Sequence, residues 1–217
     1  MLISFCLKMF AEQKRVFGIW IVADKKWQNS ILEEAAELGI ENSILGFSFP
    51  GKNRQLSIYN GLTGIREWNK ECTSELGDEN NDDISVIIHD AARPNLSGEF
   101  VDRCLDALQG YDGVMPVIPM KDTVYYSESA ESIDRLLDRS KIFAGQAPEV
   151  YRLYKYLKAN EMLLPDKIMN INGSTEPAVM AGLKVAMIPG DEKNYKITTK
   201  ADLDRFIIET DTKGHIV

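Results

Sequence analysis

Asp90 and Arg93 stand three residues apart at the end of an apolar run, Val86-Ile87-Ile88-His89. A carboxylate can hold a divalent cation or a sugar hydroxyl, and a guanidinium fork matches phosphate or carboxylate. Together they suit the handling of a phosphorylated ligand. The plainer reading is a turn-forming Asp and a surface ion pair of small worth, and these two residues alone do not separate the two. More groups of the same kind lie along the chain. Gly51 and Lys52, after Pro50, precede a helix whose N-terminal amides could receive an anion. Lys121-Asp122-Thr123 offers a lysine and a hydroxyl after the run that ends at Pro119. Asp138-Arg139 lies in a polar stretch, and Lys196 stands just before a helix start. Each of these, taken singly, reads equally well as turn chemistry or a solvated side chain. There is no Gly-x-Gly-x-x-Gly, Walker or nucleophile-elbow pattern. The two histidines, His89 and His215, have no nucleophile partner in sequence context. Any chemistry must therefore rest on charge and positioning.

The elements that would carry these residues alternate in type. Leu2, Phe5, Cys6 and Met9 share one helical face, so the chain is expected to begin on a helix with no strand before it. Strands are expected over 17–23, 44–47, 84–89, 113–118 and 185–188, where short apolar runs are bounded by turn residues. Helices are expected over 27–38, with Ile31, Leu32, Ala35 and Leu38 inward and Gly39 as the stop, and over 57–68 with Ile58, Leu62 and Ile65 inward. Another should follow Ser97, marked by Phe100, Val101, Cys104, Leu105 and Leu108. The polar, acidic stretch 70–83 reads as a surface excursion. This alternation predicts an α/β fold, a mostly parallel sheet with helices on both faces. Such sheets bind ligands beyond the C-terminal ends of their strands, which is where Asp90 and Arg93 fall.

From 121 to 141 the texture changes. A strand over 123–126 is followed by polar residues and no helix of normal length, which predicts a hairpin-like arm leaving the sheet. Residues 143–147 are expected to rejoin it. Val150, Leu153, Tyr154 and Leu157 suggest a helical face. Pro177 suits the first turn of a helix running to Gly182. Residues 195–197 suggest a short strand, and Thr199-Lys200-Ala201-Asp202 forms a capping box. Without repeats or linkers, one domain over 1–217 is expected, with the arm at 121–142.

Composition excludes several classes. The chain has 217 residues and a net charge of −8, which argues against a generic nucleic-acid surface. Its three cysteines are scattered without a Cys-x-x-Cys pair, which fits a reducing cytoplasm and no zinc site. No apolar run approaches the length needed to cross a bilayer, and the first eight residues lack the basic start of a signal peptide.

In order, several blocks carry a family resemblance: Gly51…Arg54-Gln55-Leu56-Ser57-Ile58-Tyr59-Asn60-Gly61-Leu62, His89-Asp90-Ala91-Ala92-Arg93-Pro94, Pro119-Met120-Lys121-Asp122-Thr123, Asp138-Arg139-Ser140, Gln146-Ala147-Pro148-Glu149 and Asn194-Tyr195-Lys196-Ile197-Thr198. Through them the sequence resembles the cytidylyltransferases that act on 2-C-methyl-D-erythritol 4-phosphate, an isoprenoid precursor, and on ribitol 5-phosphate. The resemblance implies a Rossmann-like sheet, a homodimer joined by exchanged arms, and CMP transfer from CTP to a polyol phosphate with Mg²⁺. It implies that Gly51, Lys52, Ser57, Asp90 and Ala91 face the nucleotide, with Asp90 also serving the metal. Arg93, Thr123 and Lys196 would hold the polyol phosphate, with Arg139 arriving from the partner subunit. Lys196, Asp90 and Arg139 would be the catalytic set.

The resemblance also implies an opening strand and a Gly-rich, basic loop, which this sequence lacks. That leads us to expect a truncated chain, or else a degenerate homologue acting as a dimeric binding or scaffold protein. Ala147 stands where a threonine is expected, and Gly173-Ser174-Thr175-Glu176-Pro177 replaces an acidic helix start. Both departures are expected near the acceptor, where methylerythritol phosphate and ribitol phosphate would be told apart.

Overall fold

A computed structural model describes residues 1–72 and 84–211. Helix α1 (Leu2–Glu12) leads into β1 (Ile19–Val22), α2 (Lys25–Glu37), β2 (Ile44–Ser48) and α3 (Arg54–Cys72). Then come β3 (Ser85–Ile88), α4 (Gly98–Asp106) and β4 (Gly113–Pro119). A hairpin of β5 (Val124–Tyr126) and β6 (Arg135–Leu137) follows, then β7 (Phe143–Gly145), β8 (Glu149–Arg152) and α5 (Leu153–Glu161). The chain continues through α6 (Glu176–Met180), β9 (Val185–Pro189) and α7 (Lys200–Asp211). Side chains fix several helix starts. Asp24 accepts from the Lys26 amide at 3.1 Å, and Ser97 from the Phe100 amide at 3.2 Å. The capping box at α7 is formed reciprocally: Thr199 Oγ1 accepts from the Asp202 amide at 3.2 Å, and Asp202 accepts from the Thr199 amide at 2.8 Å. Each such cap satisfies a donor that the helix leaves free.

β1 and β2 pair in parallel. β8 lies between β3 and β4 and is antiparallel to both, so β3 and β4 point the same way. β9 joins β4 in parallel, and β7 extends the antiparallel path along the far end of β4. The result is an α/β fold whose sheet is mixed because one antiparallel path, β7 and β8, runs among parallel strands. Side-chain alternation builds a core on each face. Val150 packs with Phe100, Val101 and Cys104 of α4 and with Cys6 and Phe10 of α1. Its neighbour Tyr151 packs on the opposite side with Leu62, Leu153, Tyr156 and Leu157. Phe100 is 1% exposed, a burial that stabilises by about 1.5–3 kcal/mol.

Some expectations are corrected. Val150 belongs to a strand; the helix over this region starts at Leu153. Strand and helix both satisfied its apolar spacing, and only the non-local pairing with β3 and β4 decides between them. Leu32 is 41% exposed, whereas Ile31 and Ala35 are buried. Residues 195–197 form no strand; the Ile197 amide bonds to the Ala92 carbonyl at 2.8 Å. Lys70, Glu71 and Cys72 complete α3, and the rest of the expected surface excursion lies outside the described residues.

Candidate active site

The C-terminal ends of β2, β3, β4 and β9 deliver the loops that carry the expected site residues. Asp90 and Arg93 follow β3 directly, and a backbone bond from the Arg93 amide to the Asp90 carbonyl at 2.9 Å closes the turn between them. The segment after β9 is strapped down onto this turn. Gln146 Nε2 donates to the Asp191 carbonyl at 2.8 Å and to the Asn194 carbonyl at 3.1 Å. The fully buried Asn194 donates to the Ala147 carbonyl at 2.6 Å. Arg93 Nη1 donates to the Asn194 carbonyl at 2.8 Å. These bonds fix residues 191–197 and so bring Lys196, distant in sequence, beside Asp90.

Three cations meet on the Asp90 carboxylate. Arg54 donates to Oδ1 through Nη2 at 2.8 Å and Nε at 3.1 Å. Lys196 Nζ lies 3.3 Å from Oδ2, and Arg93 Nε lies 3.9 Å from it. Burial alone would raise the Asp90 carboxyl, but the Arg54 guanidinium and the Lys196 ammonium outweigh it and hold the group below the usual carboxylate range. Arg93 is only 13% exposed, and its Nε is buried without a hydrogen-bond partner. His89 plays no acid–base part in this arrangement. Its Nε2 lies 3.0 Å from the Arg93 carbonyl, and burial pushes its pKa down to about 4, so the neutral ring supports the turn.

Beside this cluster opens a cavity of about 310 Å³ whose polar lining comes from Arg93, Gln146, Glu192, Tyr195 and Lys196. Arg93 and Lys196 thus belong both to the Asp90 cluster and to the cavity. The remaining expected residues are placed less centrally. Gly51 and Ser57 hold each other: the Gly51 amide donates to Ser57 Oγ at 2.9 Å, and that hydroxyl donates to the Asn53 carbonyl at 2.8 Å. A β-carbon at position 51 would sit 2.6 Å from the Leu56 side chain, so this tight loop needs glycine. Lys52 and Ala91 are exposed beside these turns. Thr123 and Arg139 are also exposed and do not line the cavity; Arg139 donates to the Lys121 carbonyl at the base of the hairpin.

Two residues outside the expected set prove central, Arg54 and Glu149. Both stand in blocks that carry the family resemblance, but no role was expected of either, and the helix was expected to start after Arg54. Glu149 is 3% exposed, and burial raises its carboxyl despite hydrogen bonds from Ser174 and Tyr151 and the nearby Arg54. The expected placement of the two departures also changes. Ala147 is buried and presents its carbonyl to Asn194, while Ser174 and Thr175 bond Glu149 behind Arg54. Neither position lines the cavity.

Comparison with known proteins then places the chain. A family model described as "IspD: 2-C-methyl-D-erythritol 4-phosphate cytidylyltransferase" matches residues 1–209. A 2-C-methyl-D-erythritol 4-phosphate cytidylyltransferase of Rubrobacter xylanophilus is 29% identical over 91% of this chain and 78% of its own length. A bifunctional enzyme IspD/IspF of Maricaulis maris is 36% identical over 87% of this chain, which spans 44% of that relative. The chain thus covers about half the length of the bifunctional relatives it matches. Among solved structures, the 4-diphosphocytidyl-2C-methyl-D-erythritol synthase of Anaerococcus prevotii superposes with a TM-score of 0.80 at 20% identity, over 97% of this chain and 86% of that one. The Francisella tularensis 2-C-methyl-D-erythritol 4-phosphate cytidylyltransferase gives 0.76 at 22% identity, over 96% and 88%. These structures share the fold, and with the match across residues 1–209 this chain belongs to the IspD family, the 2-C-methyl-D-erythritol 4-phosphate cytidylyltransferases.

Proposed function

We propose that the protein transfers CMP from CTP to a polyol phosphate, with 2-C-methyl-D-erythritol 4-phosphate as its acceptor, and releases pyrophosphate. The observation that carries this reading is the convergence of Arg54, Arg93 and Lys196 on Asp90, beside the cavity that Arg93 and Lys196 line. A phosphate oxygen of the acceptor attacks the α-phosphorus in line. The new P–O bond forms as the bond to the bridging oxygen of the β-phosphate breaks, and pyrophosphate leaves with that electron pair. Both partners carry negative phosphates, so positioning and charge neutralisation supply the catalysis and no covalent nucleophile is needed. Arg93 and Lys196 line the cavity and are assigned to the acceptor phosphate, Lys196 also to the charge that develops on transfer. The loop of Gly51, Lys52 and Ser57, with Asp90 and Ala91, is assigned to the nucleotide.

Transfer in this family is generally metal-dependent, and Mg²⁺ is the ion proposed here. It is commonly bound by one or two carboxylates together with substrate phosphates. The donor set fits that pattern: Asp90 is the carboxylate on which the site's cations converge, and among the described residues no group of three or more ligating side chains occurs. When bound, the ion would polarise phosphoryl oxygens. The proposal also includes a homodimer with exchanged arms, in which Arg139 of the partner subunit reaches the acceptor phosphate with Thr123. Exposed Tyr125, Ile133 and Leu136 on the two-stranded hairpin support a partner for the arm, because an isolated hairpin is marginally stable.

The test is pyrophosphate release by the purified protein with Mg²⁺, CTP and either methylerythritol phosphate or ribitol 5-phosphate. Release with the first acceptor at least ~10-fold faster than with the second, and lost with UTP, supports the reading, since such a ratio corresponds to about 1.4 kcal/mol of discrimination. Faster release with ribitol 5-phosphate would reassign the acceptor. No release with either would favour a non-catalytic binding protein.

A further inference from the structure

We infer that Glu149 is a positioning residue of this site, holding Arg54 in place behind Asp90. The inference rests on the transfer reading above. Glu149 opens β8 and pairs with Ile88 of β3, two residues before Asp90. Its carboxylate is fixed by buried hydroxyl groups. Oε1 accepts from Ser174, and Oε2 accepts from Tyr151 at 2.9 Å and from Thr175 at 3.3 Å. Tyr151 is itself immobilised, its ring stacked on that of Tyr156 with centroids 4.0 Å apart. The cation facing this fixed carboxylate is Arg54, whose Nη2 lies 3.9 Å from Glu149 Oε1 and 2.8 Å from Asp90 Oδ1. The three groups form a row of carboxylate, guanidinium and carboxylate that runs from the interior to the site.

A buried carboxylate is costly unless it is paired and hydrogen-bonded. Ser174, Tyr151 and Thr175 meet its hydrogen-bonding need, and Arg54 supplies opposite charge. Arg54 gains in turn. Its side chain is long and 42% exposed, so contact with Asp90 alone would leave it several rotamers. Glu149 gives it a second fixed point. Gln55, the next residue of α3, is anchored to the Tyr156 hydroxyl at 3.1 Å, which secures the backbone from which Arg54 extends. With Arg54 held, one Asp90 oxygen is occupied and the carboxylate keeps a single orientation toward Lys196. Loss of the Glu149 charge should therefore impair the holding of the nucleotide at Asp90 more than the transfer step.

Glu149→Gln tests this, because it keeps the shape and a hydrogen-bond acceptor while removing the charge. The expected result is a KM for CTP raised about five- to tenfold with kcat within about twofold, a coupling typical of residues in one network. In an Arg54→Ala background the same substitution should change KM less than about twofold. Independently of turnover, the Arg54 Nε–H resonance of the nucleotide-free protein, assigned by its loss in Arg54→Lys, should be protected from solvent exchange and should broaden in Glu149→Gln. Ser174→Ala removes one hydroxyl from the Glu149 carboxylate and should shift both readouts the same way by a smaller factor, which covers a Gln variant that does not fold. An unchanged Arg54 signal in both variants overturns the inference, as does a fall in kcat with KM unchanged or additivity in the double-mutant cycle. If the native protein does not turn over CTP, the transfer reading fails while the Arg54 resonance still decides the positioning role.

Discussion

At the scale of single residues, the site is built from charge held in place, and the two cysteines packed in the core are silenced. Burial pushes the Cys6 and Cys104 thiols up to about 12, whereas Cys72 is exposed. Since the thiolate is the nucleophile, native protein at pH 8 should take up iodoacetamide rapidly at Cys72 alone, and at all three cysteines once unfolded. Peptide mapping after brief labelling checks this; rapid labelling of Cys6 or Cys104 would contradict the burial. Asp90, Arg93 and Lys196 were singled out in the sequence at strand ends or just before a capped helix, and only the ordered family blocks joined them into one expected site. Glu149 and Arg54 stand in those blocks too, but no role was expected of them. Nothing local marks a Glu as 3% exposed, and the arginine that faces it lies almost a hundred residues earlier in the chain.

At the scale of elements, the strap after β9 does the positioning. Asn194 is fully buried, and its amide and carbonyl serve Ala147, Arg93 and Gln146. Asn194→Ala removes the side-chain bond to Ala147 and keeps the backbone carbonyl that Arg93 and Gln146 use; it should lower stability by about 1–3 kcal/mol in a denaturant melt and raise the acceptor KM because the strap that carries Lys196 is loosened. A stability change under about 0.5 kcal/mol would show that the strap holds without it. The hairpin of β5 and β6, proposed as an exchanged arm, is the second element. It was predictable from the absence of a helix between 121 and 141, and the structure pairs Val124 with Leu137 and Tyr126 with Arg135. If arms are exchanged, an inactive Arg139→Ala chain mixed with an inactive Asp90→Asn chain should regain part of the activity in heterodimers. No recovery, with heterodimers shown to form, would count against a shared site. β7 lies within 143–147, where a return to the sheet was expected, whereas β8 was the element the sequence concealed. That four-residue strand carries the same apolar spacing as the helix after it, and only contact with β3 and β4 resolves the two.

At the scale of the whole molecule, a chain of net charge −8 gathers three of its cations around one carboxylate, at the edge where parallel strands end. This contrast between global and local charge is what a site for phosphorylated substrates requires in an acidic protein, since local fields rather than net charge decide what a cleft attracts. The β-α alternation made that edge predictable, and the blocks around Asp90 and Lys196 led to the chemistry proposed for it. What they could not supply was the fold of residues 191–197 back over the Asp90 turn, a product of tertiary hydrogen bonds. Everything proposed for catalysis depends on that fold placing Lys196 at the reacting phosphates. The decisive measurement is kcat/KM for CMP transfer by Lys196→Ala beside native protein, under identical Mg²⁺ and salt. A transfer site of this kind predicts a loss of at least ~100-fold, with the melting temperature little changed. A loss under about threefold, within the range of an ordinary surface substitution, would contradict it.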